Sequence, residues 1–254
     1  MGSECTGTWM NLFIQTDHPL ALAVVDAIHT GDLTGLGRLL AEHPGLAQAR
    51  LGDNEPGGMS RTLLHVATDW PGHFPNGAAA VALLTEAGAE VNARFSGPHT
   101  ETPLHWAASS DDVDVLDALL NAGADLEAPG AVTGGGSPLA DATAFGQWKA
   151  ASRLVERGAR TTLWDAATLG LMDRLESSLT AKTPSPEEVA DAFWGACHSG
   201  QRRPAEVLLS RGADLNWLPG WERLTPLDAA HRNHFDELVK WLRGLGAKSA
   251  EELG

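Results

Sequence analysis

The sequence predicts an all-α fold of short helices paired by tight turns, stacked unit on unit as a solenoid with finger loops between units. Three observations carry this. The stretch Glu101–Ala128, ETPLHWAASSDDVDVLDALLNAGADLEA, reads as one complete helix–turn–helix unit. The place of His105 within it returns along the chain as His65, Ala140, Trp164, Trp194 and Asp228, the six spaced by 40, 35, 24, 30 and 34 residues. The 254 residues are 43% apolar, enough for a folded core. No apolar run reaches the ~18 residues that a membrane-spanning helix needs.

Each residue type in the central unit has a mechanical reason. Pro103 sits in a first helical turn, where its missing N–H costs nothing. Ala107 and Ala108 let two helices approach closely. Leu116, Leu119 and Leu120 recur at helical spacing and face a core. Gly123 supplies the left-handed residue that ends the second helix.

Taken in order, residues 1–19 form a loose or capping lead-in. A first unit at 20–49 lacks the TPLH opening, as an atypical terminal repeat does. The unit at 62–94 opens with TLLHVA and carries an insertion, Pro71-Gly72-His73-Phe74-Pro75, which cannot continue a helix. The central unit is followed by a Gly-rich finger ending in Gly134-Gly135-Gly136. No strand precedes it and no lysine-bearing phosphate motif follows, so it reads as a finger, not a phosphate cradle. Units at 137–161, 162–182, 187–217 and 224–247 follow, and 248–254 is a polar tail. Thr183–Glu188 links two of them and starts a helix.

The TPLH opening, the paired alanines, the terminal Gly and a period scattered around the ~33 residues of that repeat resemble the ankyrin family. The resemblance covers residues 20–247 as one domain. It implies a right-handed array of about seven units, of bacterial type, with little β-structure beyond the fingers. It also implies that His65 and His105 fix their turns through backbone bonds and bind no metal.

Composition narrows the function. Eighteen basic against 33 acidic residues give a formal charge of −15. Such a surface repels phosphate backbones and anionic membrane, so neither nucleic acid nor membrane is expected as a partner. Cys5 and Cys197 form no framework, which points to a reducing, cytoplasmic setting without a disulfide. The N-terminus lacks the pattern of a signal peptide. Cys197 and His198 are neighbours on a helix and point about 100° apart, a poor nucleophile pair. Asp111 and Asp112 sit where a second helix needs capping. No cofactor or metal site is read from the motifs, and a monomer is expected.

One constellation points further. By the resemblance, the residue after the TPLH histidine faces the concave surface: Val66, Trp106, Asp141, Asp165, Gly195 and Ala229. One turn on come Trp70, Ser110, Phe145, Leu169, Ser199 and Asn233, on the same helical face. Trp70, Trp106, Ser110, Asp141, Phe145, Asp165 and Leu169 then line the middle of a groove, which the inserted His73 and Phe74 overhang. Two readings stay open. In the first, the chain is a non-catalytic module that binds a protein partner through its groove and fingers, and Asp141 and Asp165 are solvated carboxylates. In the second, those aspartates and their aromatic neighbours form a site for a cationic or amine-bearing small molecule, or for acid–base catalysis.

Overall fold

A computed structural model describes residues 13–52 and 58–254. Cys5 lies outside them. The chain divides into two compact units, Met1–Ala159 and Arg160–Gly254.

In the first unit the helices come in consecutive pairs: α1 (Pro19–Thr30) with α2 (Leu33–Glu42), α3 (Leu63–Ala67) with α4 (Gly77–Glu86), α5 (Pro103–Ser109) with α6 (Val113–Asn121), and α7 (Pro138–Ala144) with α8 (Trp148–Glu156). The first helices of the pairs touch in sequence, α1 to α3 to α5 to α7, and so do the second helices, α2 to α4 to α6 to α8. The reason lies in side-chain size. The first helices present Ala67, Ala107, Ala108 and Ala142, all fully buried, so backbones approach closely. The second helices fill the space behind them with Leu36, Leu84, Leu116, Leu119 and Leu154, equally buried. Each such Leu contributes about 1.5–3 kcal/mol relative to exposure.

Gly123 has φ +95, and Gly88, Gly158, Gly212 and Gly246 close other second helices at φ +93, +103, +91 and +90. A Cβ is strained in that region, which is why the same residue returns at each helix end.

The lead-in differs from expectation at its end. Phe13–Ile14 form a strand, β1, parallel to β2 (Arg50–Gly52), which pairs antiparallel with β3 (Ser60–Thr62) in the order β1-β2-β3. The β2–β3 pair belongs to a finger; β1 is an addition that helical periodicity could not reveal.

In the second unit α9 (Leu163–Thr168) pairs with α10 (Met172–Ala181), α11 (Pro186–His198) with α12 (Arg202–Ser210), and α13 (Pro226–Arg232) with α14 (Asp236–Gly244). Their core is built on Ala166, Ala167, Leu175, Phe193, Ala196, Cys197, Leu208 and Leu242. The expected polar tail contains one further turn, α15 (Ala250–Leu253), capped by Ser249.

Candidate functional site

The fingers are fastened from the first helices. Thr62 and Thr102 cap α3 and α5, with His65 and His105 three residues on. His65 Nδ1 lies 3.3 Å from Thr62 N and 2.8 Å from its Oγ1, while Nε2 lies 3.1 Å from the Glu101 carbonyl. His105 repeats this with Thr102 N at 3.1 Å and the Gly136 carbonyl at 3.3 Å. A backbone N–H only donates and a carbonyl only accepts, so Nδ1 is the bare nitrogen and Nε2 carries the proton. Burial holds the two imidazoles neutral, at about 3 for His65 and about 4 for His105. Both are structural.

The residues proposed for the groove do different jobs in the first unit. Trp70 is 82% exposed, on the loop after α3. That loop is pinned: His73 donates its N–H to Asp112 Oδ2 at 2.7 Å, and its Nε2 lies 2.9 Å from the Ser110 carbonyl. Phe74 stacks on His29 of α1 at 4.2 Å. His73 and Phe74 thus anchor the insertion to neighbouring repeats. Asp112 also caps α6 through Val115 N, and Asp111 accepts the Ala150 N–H at the start of α8. Ser110 donates its hydroxyl to the Trp106 carbonyl at 2.5 Å. Phe145 ends α7 and stands half in solvent.

Trp106 and Asp141 converge on a group that the sequence reading passed over. Trp106 packs edge-on to His65 at 4.9 Å and tilted on Phe95 at 5.5 Å, and its indole lies beside the Glu101 carboxylate. Asp141 is 0% exposed. Its Oδ1 accepts from Thr133 N at 3.5 Å and Thr133 Oγ1 at 3.3 Å, both long, and Oδ2 has no partner. Burial, and then the nearby Glu101 charge, raise Asp141 to about 6. Burial raises Glu101 as well. Glu101 directly precedes the TPLH opening, and that adjacency was the only signal that could have found it.

In the second unit Asp165 is bound locally: Oδ2 accepts from Thr162 N at 2.8 Å and Thr162 Oγ1 at 2.7 Å. Leu169 is the half-buried cap of α9. Cys197 is fully buried and its thiol is pushed well up by that burial, so it is no nucleophile. His198 stacks on Trp194 at 5.2 Å and is held down to about 4 by burial and then by Arg232. Among the described residues, no group of three His, Cys, Asp or Glu side chains is placed to hold a metal ion. Among them, too, no helix is long and apolar enough to cross a membrane.

The ankyrin-repeat family model matches residues 99–131, the unit from which this geometry was read. The chain is an ankyrin-repeat protein. It is 32% identical over 191 residues to an ankyrin repeat and KH domain-containing protein of Caenorhabditis briggsae, covering 69% of this chain and 7% of that one. It is 53% identical over 51 residues to palmitoyltransferase AKR1 of Kluyveromyces lactis, covering 20% of this chain and 6% of the relative. The chain therefore spans less than a tenth of either relative.

Within the ankyrin pattern one register differs from the sequence alignment. The sequence pattern puts Trp164 at the place of the TPLH histidine and Asp165 at the concave position after it. One residue fewer separates Thr162 from Gly170 than separates Thr102 from Asp111, whose backbones share the left-handed turn before the second helix. The missing residue moves Asp165 into the ankyrin capping position of α9, and its carboxylate serves the helix N-terminus.

Proposed function

We propose that this ankyrin chain is a non-catalytic module that binds a protein partner through its helix faces and finger loops, in the cytoplasm and as a monomer. The observation that supports it most is Trp70. A large indole stands in solvent on a loop held from behind by His73 and Asp112. An exposed, pre-positioned aromatic suits an interface anchor. The free, buried Cys197 agrees with a reducing compartment. The test is copurification from native lysate with wild type and Trp70→Ala side by side. A partner retained by the first and lost from the second supports the reading. Identical partner sets and affinities would remove Trp70 from it.

A second reading is favoured by one atom. Asp141 Oδ2 is buried without a donor beside a second carboxylate, Glu101, and an ammonium group of a small molecule would satisfy it. Asp165 adds nothing here, since its carboxylate is engaged with Thr162. Calorimetry with n-butylammonium on wild type and Asp141→Asn separates the readings: heat in the first and none in the second supports a small-molecule site.

A further inference from the structure

The second unit carries an aromatic cluster that finger anchoring alone does not require. Trp164 of α9 and Trp194 of α11 stack at 5.9 Å and 18°. Gly195 makes room for this, since a Cβ there would stand 3.1 Å from the Trp164 ring and 2.5 Å from Thr168 Oγ1. Trp221, on the finger before α13, stands edge-on to both, at 6.1 Å and 4.8 Å. The finger is fixed twice. Trp194 Nε1 donates to the Leu224 carbonyl at 2.8 Å, and Glu222 pairs with Arg232 at 2.5 Å. Yet Trp221 is 59% exposed, and Leu218 of the same finger is exposed too. An indole held this firmly loses little freedom when a partner covers it.

The inner part of the cluster contains a complete cation site. The Arg232 guanidinium lies over the Trp194 ring at 5.9 Å and pairs with the Glu222 carboxylate. The outer part repeats the indole and the carboxylates and lacks the cation. Asp191 lies beside the Trp221 indole, and Glu187 lies one turn earlier on the same face of α11. Among the described residues neither carboxylate has an ion-pair partner. Burial and then the Glu187 charge raise Asp191 above the usual carboxylate range, a cost that an arriving positive charge relieves.

We propose that Trp221, Glu187 and Asp191 form a docking surface for a basic segment of a partner protein, with an arginine or lysine side chain on the open indole face and its charge toward the two carboxylates. The proposal rests on the protein-binding reading above and names the chemistry of the partner. A formal charge of −15 draws such a segment in, and the contact is salt-sensitive.

The test is anisotropy titration of a fluorescent hexa-arginine peptide, with hexa-glutamate as the sign control. Trp221→Ala and the double variant Glu187→Gln/Asp191→Asn should each weaken binding tenfold or more. Trp221→Phe, which keeps a ring, should fall between them and wild type. The double variant Glu42→Gln/Glu86→Gln, which removes equal charge from exposed sites in the first unit, should change binding less than threefold. Thermal unfolding of each variant checks that it folds. Hexa-arginine binding to a folded Trp221→Ala as to wild type overturns the proposal, as does an equal loss from both charge-removing pairs. A native partner that is lost from Trp70→Ala yet kept by Trp221→Ala leaves the module reading standing and sinks this one.

Discussion

In the first unit one imidazole does two jobs: its Nδ1 accepts at the helix N-terminus, and its Nε2 donates to the next finger. In the second unit the jobs are divided. Asp165 and Asp228 take the N-terminal role, each with Oδ2 bonded to the backbone N–H and hydroxyl of its capping threonine. Trp194 takes the finger role, giving its indole N–H to the Leu224 carbonyl. The ankyrin histidine is thus one solution to a donor-and-acceptor problem, and a carboxylate plus an indole is another. The second solution dispenses with a neutral imidazole at these positions and leaves aromatic surface over, which is where Trp221 stands.

The widest test of this contrast is acid. The folded values of His65 and His105, about 3 and about 4, lie below the ordinary 6.5. Their contribution is therefore complete above pH 6.5 and is lost as pH falls toward the folded values, at about 1.4 kcal/mol per pH unit for each. His198, at about 4, adds a share of the same sign. Asp141, raised to about 6, acts oppositely between about 6 and 4, and Glu101 shares its direction. Three imidazoles outweigh them, so the urea midpoint should drop between pH 7 and 4.5. His65→Gln/His105→Gln should flatten that drop. An unflattened profile would place the acid sensitivity elsewhere.

Leu119→Ala should cost about 2–5 kcal/mol through a cavity and leave the fingers fastened. Unfolding free energy gives the cost, and hydrogen exchange at Gly136 and its neighbours should be unaltered. His105→Ala should cost about 2–4 kcal/mol by stranding Thr102 N and the Gly136 carbonyl, with faster exchange in the 129–136 finger. Trp194→Phe keeps the stack and loses the donor, so about 1–2 kcal/mol is expected. A loss as large as that of His105→Ala would mean the two jobs are not divided as described. Asp141→Asn should raise the melting temperature above pH 6, where the buried carboxylate is charged, and leave it unchanged at pH 4.

The repeat was legible because its signals are local: Pro103 at a first turn, alanines along first helices, Gly123 at a helix end. The site was less so. Periodicity assigned Asp141 to a face but not to a depth, and the residue proved fully buried. It misplaced Asp165 because a single missing residue shifts a helix start without altering the pattern that follows. It passed over Glu101 because proximity to Asp141 depends on a finger folding across two repeats. The exposure of Trp221 also had no signature, since the same residue type is buried at Trp194.

The stacked indoles of Trp164 and Trp194 have an optical consequence. The chain contains nine Trp and no Tyr, so its near-ultraviolet absorption near 280 nm is essentially all indole. Two such chromophores 5.9 Å apart with ring planes 18° from parallel are close enough for their transitions to mix, and mixed transitions of fixed handedness give a paired circular dichroism band that separated rings do not. The second unit therefore carries a label-free reporter of its own folding, and Trp194→Phe would reduce it to the contribution of the remaining Trp164–Trp221 pair at 6.1 Å.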